Sequence, residues 1–330
     1  MIDKVNMKKR LDYFDQLKGL TIILVVVGHI LSFSFGEGDA WLNRLFIIFR
    51  MPIFFYISGY WAYKNYDLFT DVLKKLFKAS HHLLIPFFVF CFLYSQFVDT
   101  KFIDFLSFGG GGYWFLQVIF VLQLFFLVYG HCIREVKNDV LYISLLVVPY
   151  AFLILADNCQ LIGSSWSEAL NVPNLVNYYR YFLLGWLCRK YYKLFELLFK
   201  NKLIFAIGAF LYLAKWYFYG VNNMLLSFLG SIGAIVMLQQ FFMHYSESQN
   251  KGLKLLTYLG QNTMIIYLVH YFFIPDLVEV VKPLMAGDNM FIVTLTLSLL
   301  VAFPIILACL LLGKIFESNK YLSFVFLGKR

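Results

Sequence analysis

The chain has 330 residues, 61% of them hydrophobic and 20% aromatic, with a mean hydropathy of +0.72. That profile excludes a soluble domain, and apolar stretches recurring from end to end mark a polytopic membrane protein. A net charge of +9 first suggests a nucleic-acid partner, but the cations gather on alternate loops between apolar segments, which excludes that reading.

Ten spans follow in order, near residues 16–35, 41–63, 82–98, 113–131, 140–157, 174–190, 202–219, 223–244, 259–281 and 290–316. The sequence predicts an all-α integral membrane protein, with one domain over 1–330 and no separate soluble domain. With the N-terminus inside, 21 of the 28 Lys and Arg fall on cytoplasmic segments, so both termini are expected in the cytoplasm. The charged N-terminus lacks a small-residue cleavage site, so span one reads as a retained helix. Within it, Lys18 and His29 are separated by about three helical turns. They share one face, roughly 16 Å apart along the axis. Asp15 precedes Lys18 by one turn and can orient it through a local ion pair. The loop Gly36-Glu37-Gly38-Asp39 is acidic and fits the outside.

Residues 64–81 read as a cytoplasmic amphipathic helix. It carries Lys64, Lys74, Lys75, Lys78 and His81, adjoins His82, and puts Leu68, Val72, Leu76 and Phe77 on its apolar side. Further on, a short apolar stretch from Phe102 to Phe108 leads into Gly109-Gly110-Gly111-Gly112, before Tyr113-Trp114-Phe115. A glycine loop that cradles phosphate needs a following helix with Lys and Ser or Thr. None follows, so the run reads as a flexible loop. The cysteines (Cys91, Cys132, Cys159, Cys188, Cys309) are scattered without a Cys-x-x-Cys pair, which indicates neither a metal site nor a disulfide framework.

Ionisable residues inside a membrane are costly, and each is a functional candidate. His29, Arg50, Arg180 and His270 reach similar depths, between the midplane and the outer leaflet. If their helices pack together, they line one polar cavity. A lone histidine on an apolar helix is usually a hydrogen-bonded structural residue, and a lone arginine usually an interhelical ion pair. The alignment of His29 with Lys18, and the scarcity of acids at the depth of Arg50, favour chemistry instead. Lys18, Arg44 and Lys215 lie near span ends, where snorkelling accounts for their cost; Lys215 reads as structural.

Four stretches resemble the acyltransferase-3 family of integral-membrane acyltransferases. They are Asp15 to His29, Phe49 to Tyr60, Tyr113-Trp114-Phe115-Leu116, and Gly260 to His270, and together they span the chain. The lysine form of the first stretch looks like the fucose 4-O-acetylase branch. The resemblance implies acetyl-CoA on the cytoplasmic side and an acceptor hydroxyl near the outer side, on a cell-surface or lipid-linked glycan. It implies an O-acetyltransferase of the cell membrane that modifies envelope polysaccharide and needs no metal. The family's basic residue, ten intervening residues and histidine fall on Lys18 and His29. Its arginine falls on Arg50, and its Ser-Gly on Ser58 and Gly59. Many members have Arg-x-x-Arg before the third span; this chain has Lys78, His81 and His82, with Ala79 at the position of the first arginine.

On this basis His29 is the expected general base. Arg50 or Arg180 is expected to hold the oxyanion, and His270 is a further catalytic candidate. Lys18, Lys74, Lys75, Lys78, His81 and His82 are expected to hold the donor's phosphates. A proton-coupled sugar or lipid transporter is the competing reading, because midplane His and Arg also suit a proton relay. Few intramembrane carboxylates and no matched pair of broken helices weigh against it. A non-catalytic subunit of a glycan-assembly complex would not need Lys18 and His29 in line.

Overall fold

The computed structural model describes residues 11–38, 41–64, 66–107, 109–221, 223–245, 250–284 and 290–329. Asp39 of the acidic loop, Phe108, and the basic residues before position 11 lie outside them.

Among the described residues all regular structure is helical. Helix α1 (Asp12–His29) continues into a π-helical turn, Ile30–Ser34, and α2 (Trp41–Ile47) and α3 (Arg50–Ala62) follow. Next come α4 (Phe69–Phe97), α5 (Phe102–Ser107), α6 (Trp114–Cys132), α7 (Asp139–Asn158), α8 (Ser164–Ala169) and α9 (Val172–Lys190). Then follow α10 (Tyr192–Lys200), α11 (Lys202–Tyr217), α12 (Met224–Tyr245), α13 (Lys251–Gln261) and α14 (Thr263–Val269). A 3₁₀ turn, His270–Phe273, precedes α15 (Val278–Val281), α16 (Met290–Glu317) and α17 (Lys320–Leu327).

Among the described residues seven helical segments are long and apolar enough to cross a membrane, and eight if α10 and α11, bent by 82° at Asn201, make one span. The remaining two expected spans are helical but differ in kind. Helix α9 carries Asn174, Asn177 and Arg180 along its length. The stretch expected as 259–281 is broken at Asn262 and again where α14 tightens to 3₁₀ at His270.

The amphipathic segment near 64–81 and the span near 82–98 are one 29-residue helix, α4. At 1.5 Å per residue it runs about 43 Å, longer than the roughly 30 Å apolar core of a bilayer. Its charged first half therefore projects beyond the membrane as part of the same rod. Pro86 sits inside it without ending it.

The contacts group into two compact units, one of residues up to Phe54 with Lys193–Leu310, the other of Phe55–Tyr192 with Leu311 onward. In the first unit, α1 crosses α13 backbone to backbone. A Cβ at Gly19 would strike the Leu256 carbonyl, and one at Gly260 the Asp15 carbonyl. Helices α11 and α12 meet in the same way at Gly208 and Gly233. Small residues are how membrane helices approach this closely. The break between α2 and α3 frees backbone carbonyls, which inside a membrane must find donors. The Tyr212 hydroxyl donates to the Leu45 carbonyl at 2.5 Å, and the Ser231 hydroxyl to the Ile48 carbonyl at 2.7 Å.

In the second unit, α3 and α9 cross at Gly59 and Gly185, whose Cβ atoms would strike the Phe182 and Tyr56 carbonyls. The core packs Phe126, Tyr179, Phe182 and Trp186 against one another. The glycine run is a built turn rather than a loose loop. Gly109, Gly110 and Gly111 all have left-handed φ, of 70°, 74° and 53°. A Cβ on Gly110 would press into Phe87, and the Asn171 amide donates to the Gly109 carbonyl at 2.9 Å. Only glycine meets both demands without strain.

Candidate active site

The first unit brings three of the expected residues together. His29 ends α1, where the backbone passes into the π-helical turn. Such turns insert a residue into the helical ladder and cluster at functional sites. Phe35 N–H closes on the Ile30 carbonyl at 3.0 Å, and the Ser32 hydroxyl donates back to the Gly28 carbonyl at 2.9 Å. His270 begins the 3₁₀ turn after α14 and is fully buried.

The two imidazoles meet, with His29 Nδ1 2.8 Å from His270 Nε2. His270 Nδ1 lies 2.9 Å from the Ile266 carbonyl. A carbonyl only accepts, so His270 carries its proton on Nδ1 and offers Nε2 as a lone pair. His29 then donates from Nδ1, which leaves its Nε2 as the free basic nitrogen. The Tyr271 hydroxyl stands 3.3 Å from that nitrogen. The tautomers follow from the hydrogen-bond network rather than from observed protons.

Arg50, the first residue of α3, passes directly over Gly28; a Cβ there would collide with its guanidinium. Its Nη1 donates to Asn43 Oδ1 at 3.2 Å, and Asn43 Nδ2 donates to the Gly38 carbonyl at 2.6 Å. Asn43 is buried, so the guanidinium is held by a side chain that is itself held. The site thus joins an imidazole with an accepting nitrogen, a second imidazole that orients it, and a guanidinium. These are the parts that acyl transfer to a hydroxyl uses.

Asn43, Tyr271 and the glycine at Gly28 were not anticipated. Tyr271 follows His270 directly, and only the tight turn brings it back over His29. Asn43 stands seven positions before Arg50, across a helix break that no periodicity displays.

Each of the other expected residues has its own local surroundings. Lys18 pairs with Asp15 at 2.7 Å and is partly exposed, as the local spacing suggested. Arg180 belongs to α9 in the second unit, its guanidinium over the Tyr181 ring at 5.1 Å. Lys74 is exposed and pairs with Asp71 at 3.1 Å. Lys75 lies within electrostatic reach of Lys64 and Lys78, and His82 within reach of Lys75, Lys78 and Lys329. His81 Nδ1 donates to the Phe77 carbonyl at 2.6 Å. Gly328, with φ +60°, seats the chain after α17 against the His81 carbonyl. Lys215 is buried and donates to the Val221 carbonyl at 3.1 Å, a structural role. Among the described residues no three His, Cys, Asp or Glu converge as a metal site.

Known proteins resemble this chain over part or most of its length. The model of a family described as an acyltransferase domain matches residues 11–314. The nodulation protein NolL of Sinorhizobium fredii (strain NBRC 101917 / NGR234) is 33% identical over 121 residues, 32% of this chain and 33% of that protein. NolL of Mesorhizobium japonicum (strain LMG 29417 / CECT 9101 / MAFF 303099) is 31% identical over 129 residues, 33% of each chain. The matched stretch thus spans about a third of the length of these relatives. No solved structure gives a significant match. With the family match running from the start of α1 nearly to the end of α16, and several apolar helices between, this chain is a multi-pass membrane protein of the acyltransferase-3 family.

Proposed function

We propose that the protein is an O-acetyltransferase of the cell membrane that moves an acetyl group from cytoplasmic acetyl-CoA to a hydroxyl of a cell-surface or lipid-linked glycan. The observation that carries this reading is the hydrogen-bonded pair of His29 and His270, anchored on the Ile266 carbonyl. It leaves one basic nitrogen, His29 Nε2, available to an incoming hydroxyl.

In the proposed reaction the acceptor hydroxyl replaces the Tyr271 hydroxyl as the donor to His29 Nε2. As its oxygen attacks the thioester carbonyl, the proton passes to Nε2. The imidazolium so formed keeps its Nδ1–H bond to His270, which disperses the charge without needing a buried carboxylate. The carbonyl electrons move onto oxygen, and the Arg50 guanidinium is positioned for that anion. Collapse of the tetrahedral intermediate breaks the carbon–sulfur bond. The proton on Nε2 then goes to the departing thiolate, restoring neutral His29. The donor's phosphates stay with lysines at the cytoplasmic face, because they cannot enter hydrocarbon.

The test uses purified protein in lipid nanodiscs with labelled acetyl-CoA and the host's surface glycan. Wild type should add one acetyl per modified sugar, seen by mass. His29→Ala should lose transfer by at least about a hundredfold while staying folded, the usual scale for a general base. Normal acetylation by that variant would overturn the assignment.

A further inference from the structure

The second unit contains a recess in which the chemistry described above takes no part. It holds about 490 Å³ of empty space, its solvent-open mouth included. Its basic residues come from three places: Lys64 just after α3, His131 and Arg134 at the end of α6, and Lys190 at the end of α9. The charge bias of the sequence puts all three helix ends on the cytoplasmic side. Of the carboxylates nearby, Asp71 lies within electrostatic reach of Tyr66 and pairs with Lys74 at 3.1 Å. Glu135 is 3.2 Å from Arg134 Nε and points largely to solvent; Asp139 accepts from the Tyr191 hydroxyl at 2.6 Å. Two lysines, an arginine and a histidine therefore face acids that are already engaged.

The wall between the cations is aromatic. Trp186 Nε1 donates to the Tyr142 hydroxyl at 2.9 Å, and Tyr63 meets the Trp186 ring edge-on at 5.0 Å. Lys190 Nζ sits 3.3 Å over the Tyr142 ring, and Lys64 Nζ 5.1 Å from the Tyr66 ring. Gly130 gives the Trp186 ring its room; a Cβ there would press into it. A site for inorganic phosphate or a lipid headgroup needs the cations and has no use for this wall. A site for an apolar ligand has no use for the cations. A nucleotide uses both, its phosphates held by Lys and Arg and its base stacked on Tyr63 or Tyr66, the half-buried rings of a wall whose Tyr142 and Trp186 are buried.

We propose that this recess binds a phosphorylated nucleotide, and that its occupant is the nucleotide end of the acyl-CoA donor. The second clause rests on the acetyl-CoA reading given above; the first does not. The lysines of α4 adjoin the same basic region through Lys64 and Lys75.

The test measures binding of radiolabelled acetyl-CoA, adenosine 3′,5′-bisphosphate and ADP to full-length protein in nanodiscs. It compares wild type with K64Q/R134Q and with the charge-preserving K64R/R134K. Both positions are exposed, so neither pair should disturb folding, which gel filtration and a thermal melt would confirm. The bisphosphate should displace acetyl-CoA from wild type. K64Q/R134Q should weaken both by at least tenfold, and K64R/R134K should restore them. Unchanged acetyl-CoA and bisphosphate affinity in K64Q/R134Q, with transfer intact, would overturn the recess and leave the transferase standing. ADP or bisphosphate binding that is lost in K64Q/R134Q, without any acetyl-CoA binding, would uphold a nucleotide site and overturn acetyl-CoA as its source.

Discussion

At the scale of single residues, the chemistry at His29 is decided by atoms that have none of their own. The Ile266 carbonyl fixes the proton of His270, and His270 fixes that of His29. Gly28 acts by what it lacks. The Arg50 guanidinium occupies the space where a side chain on Gly28 would begin. Gly28→Ala should therefore leave His29 in place and push Arg50 aside. Losing a preorganised charge at a developing oxyanion typically costs about 3–4 kcal/mol of barrier, or 10²–10³ in rate. The kcat for acetyl transfer should fall on that scale with little change in acetyl-CoA KM. A Gly28→Ala enzyme with wild-type kcat would remove Arg50 from the mechanism. His29, Arg50 and His270 were legible in the sequence because cost and depth single them out. Gly28 was not, since a glycine in an apolar helix is ordinary until its neighbour across the packing is known.

At the scale of elements, the sequence shows where apolar stretches lie better than where helices begin and break. Helix α4 was divided in two at residue 82, because a charged amphipathic half and an apolar half look like separate segments to any hydropathy argument. Nothing in the side-chain pattern there interrupts the backbone ladder. The opposite error occurred at residues 259–281, where a continuous apolar stretch conceals a break at Asn262 and a 3₁₀ turn. That turn lifts His270 out of the helical register and brings Tyr271 over His29. Similarly, the break after α2 is paid for by donors on α11 and α12, distant in sequence, which free Arg50 to open a new helix. The glycine run reads in the sequence as a flexible loop, because the residues that hold it as a turn, Phe87 and Asn171, are distant in the chain.

At the scale of the whole molecule, the family match over 11–314 accounts for most of the chain. Seven or eight helical segments have the length and composition of membrane spans. The proposed orientation, with basic loops inside, can be checked with native cysteines. Cys132 ends α6 on the proposed inner side, Cys159 follows α7 on the proposed outer side, and both are exposed. A membrane-impermeant maleimide applied to intact cells should label Cys159 and spare Cys132 until the membrane is opened. The reverse pattern would invert the topology and move both the recess and its cations to the outer face.

The hydrogen-bond chain through the two imidazoles ends on a backbone oxygen, which can hold a proton's partner but cannot take the proton itself. His270 therefore has nowhere to pass its own hydrogen and works as a fixed brace rather than a relay. In the proposed transfer only the acceptor's proton is in flight when the ester forms. In mixtures of light and heavy water, with the chemical step limiting, the rate should fall linearly with deuterium fraction. A bowed dependence would mean that a second hydrogen moves, and that the imidazole pair carries protons as well as position.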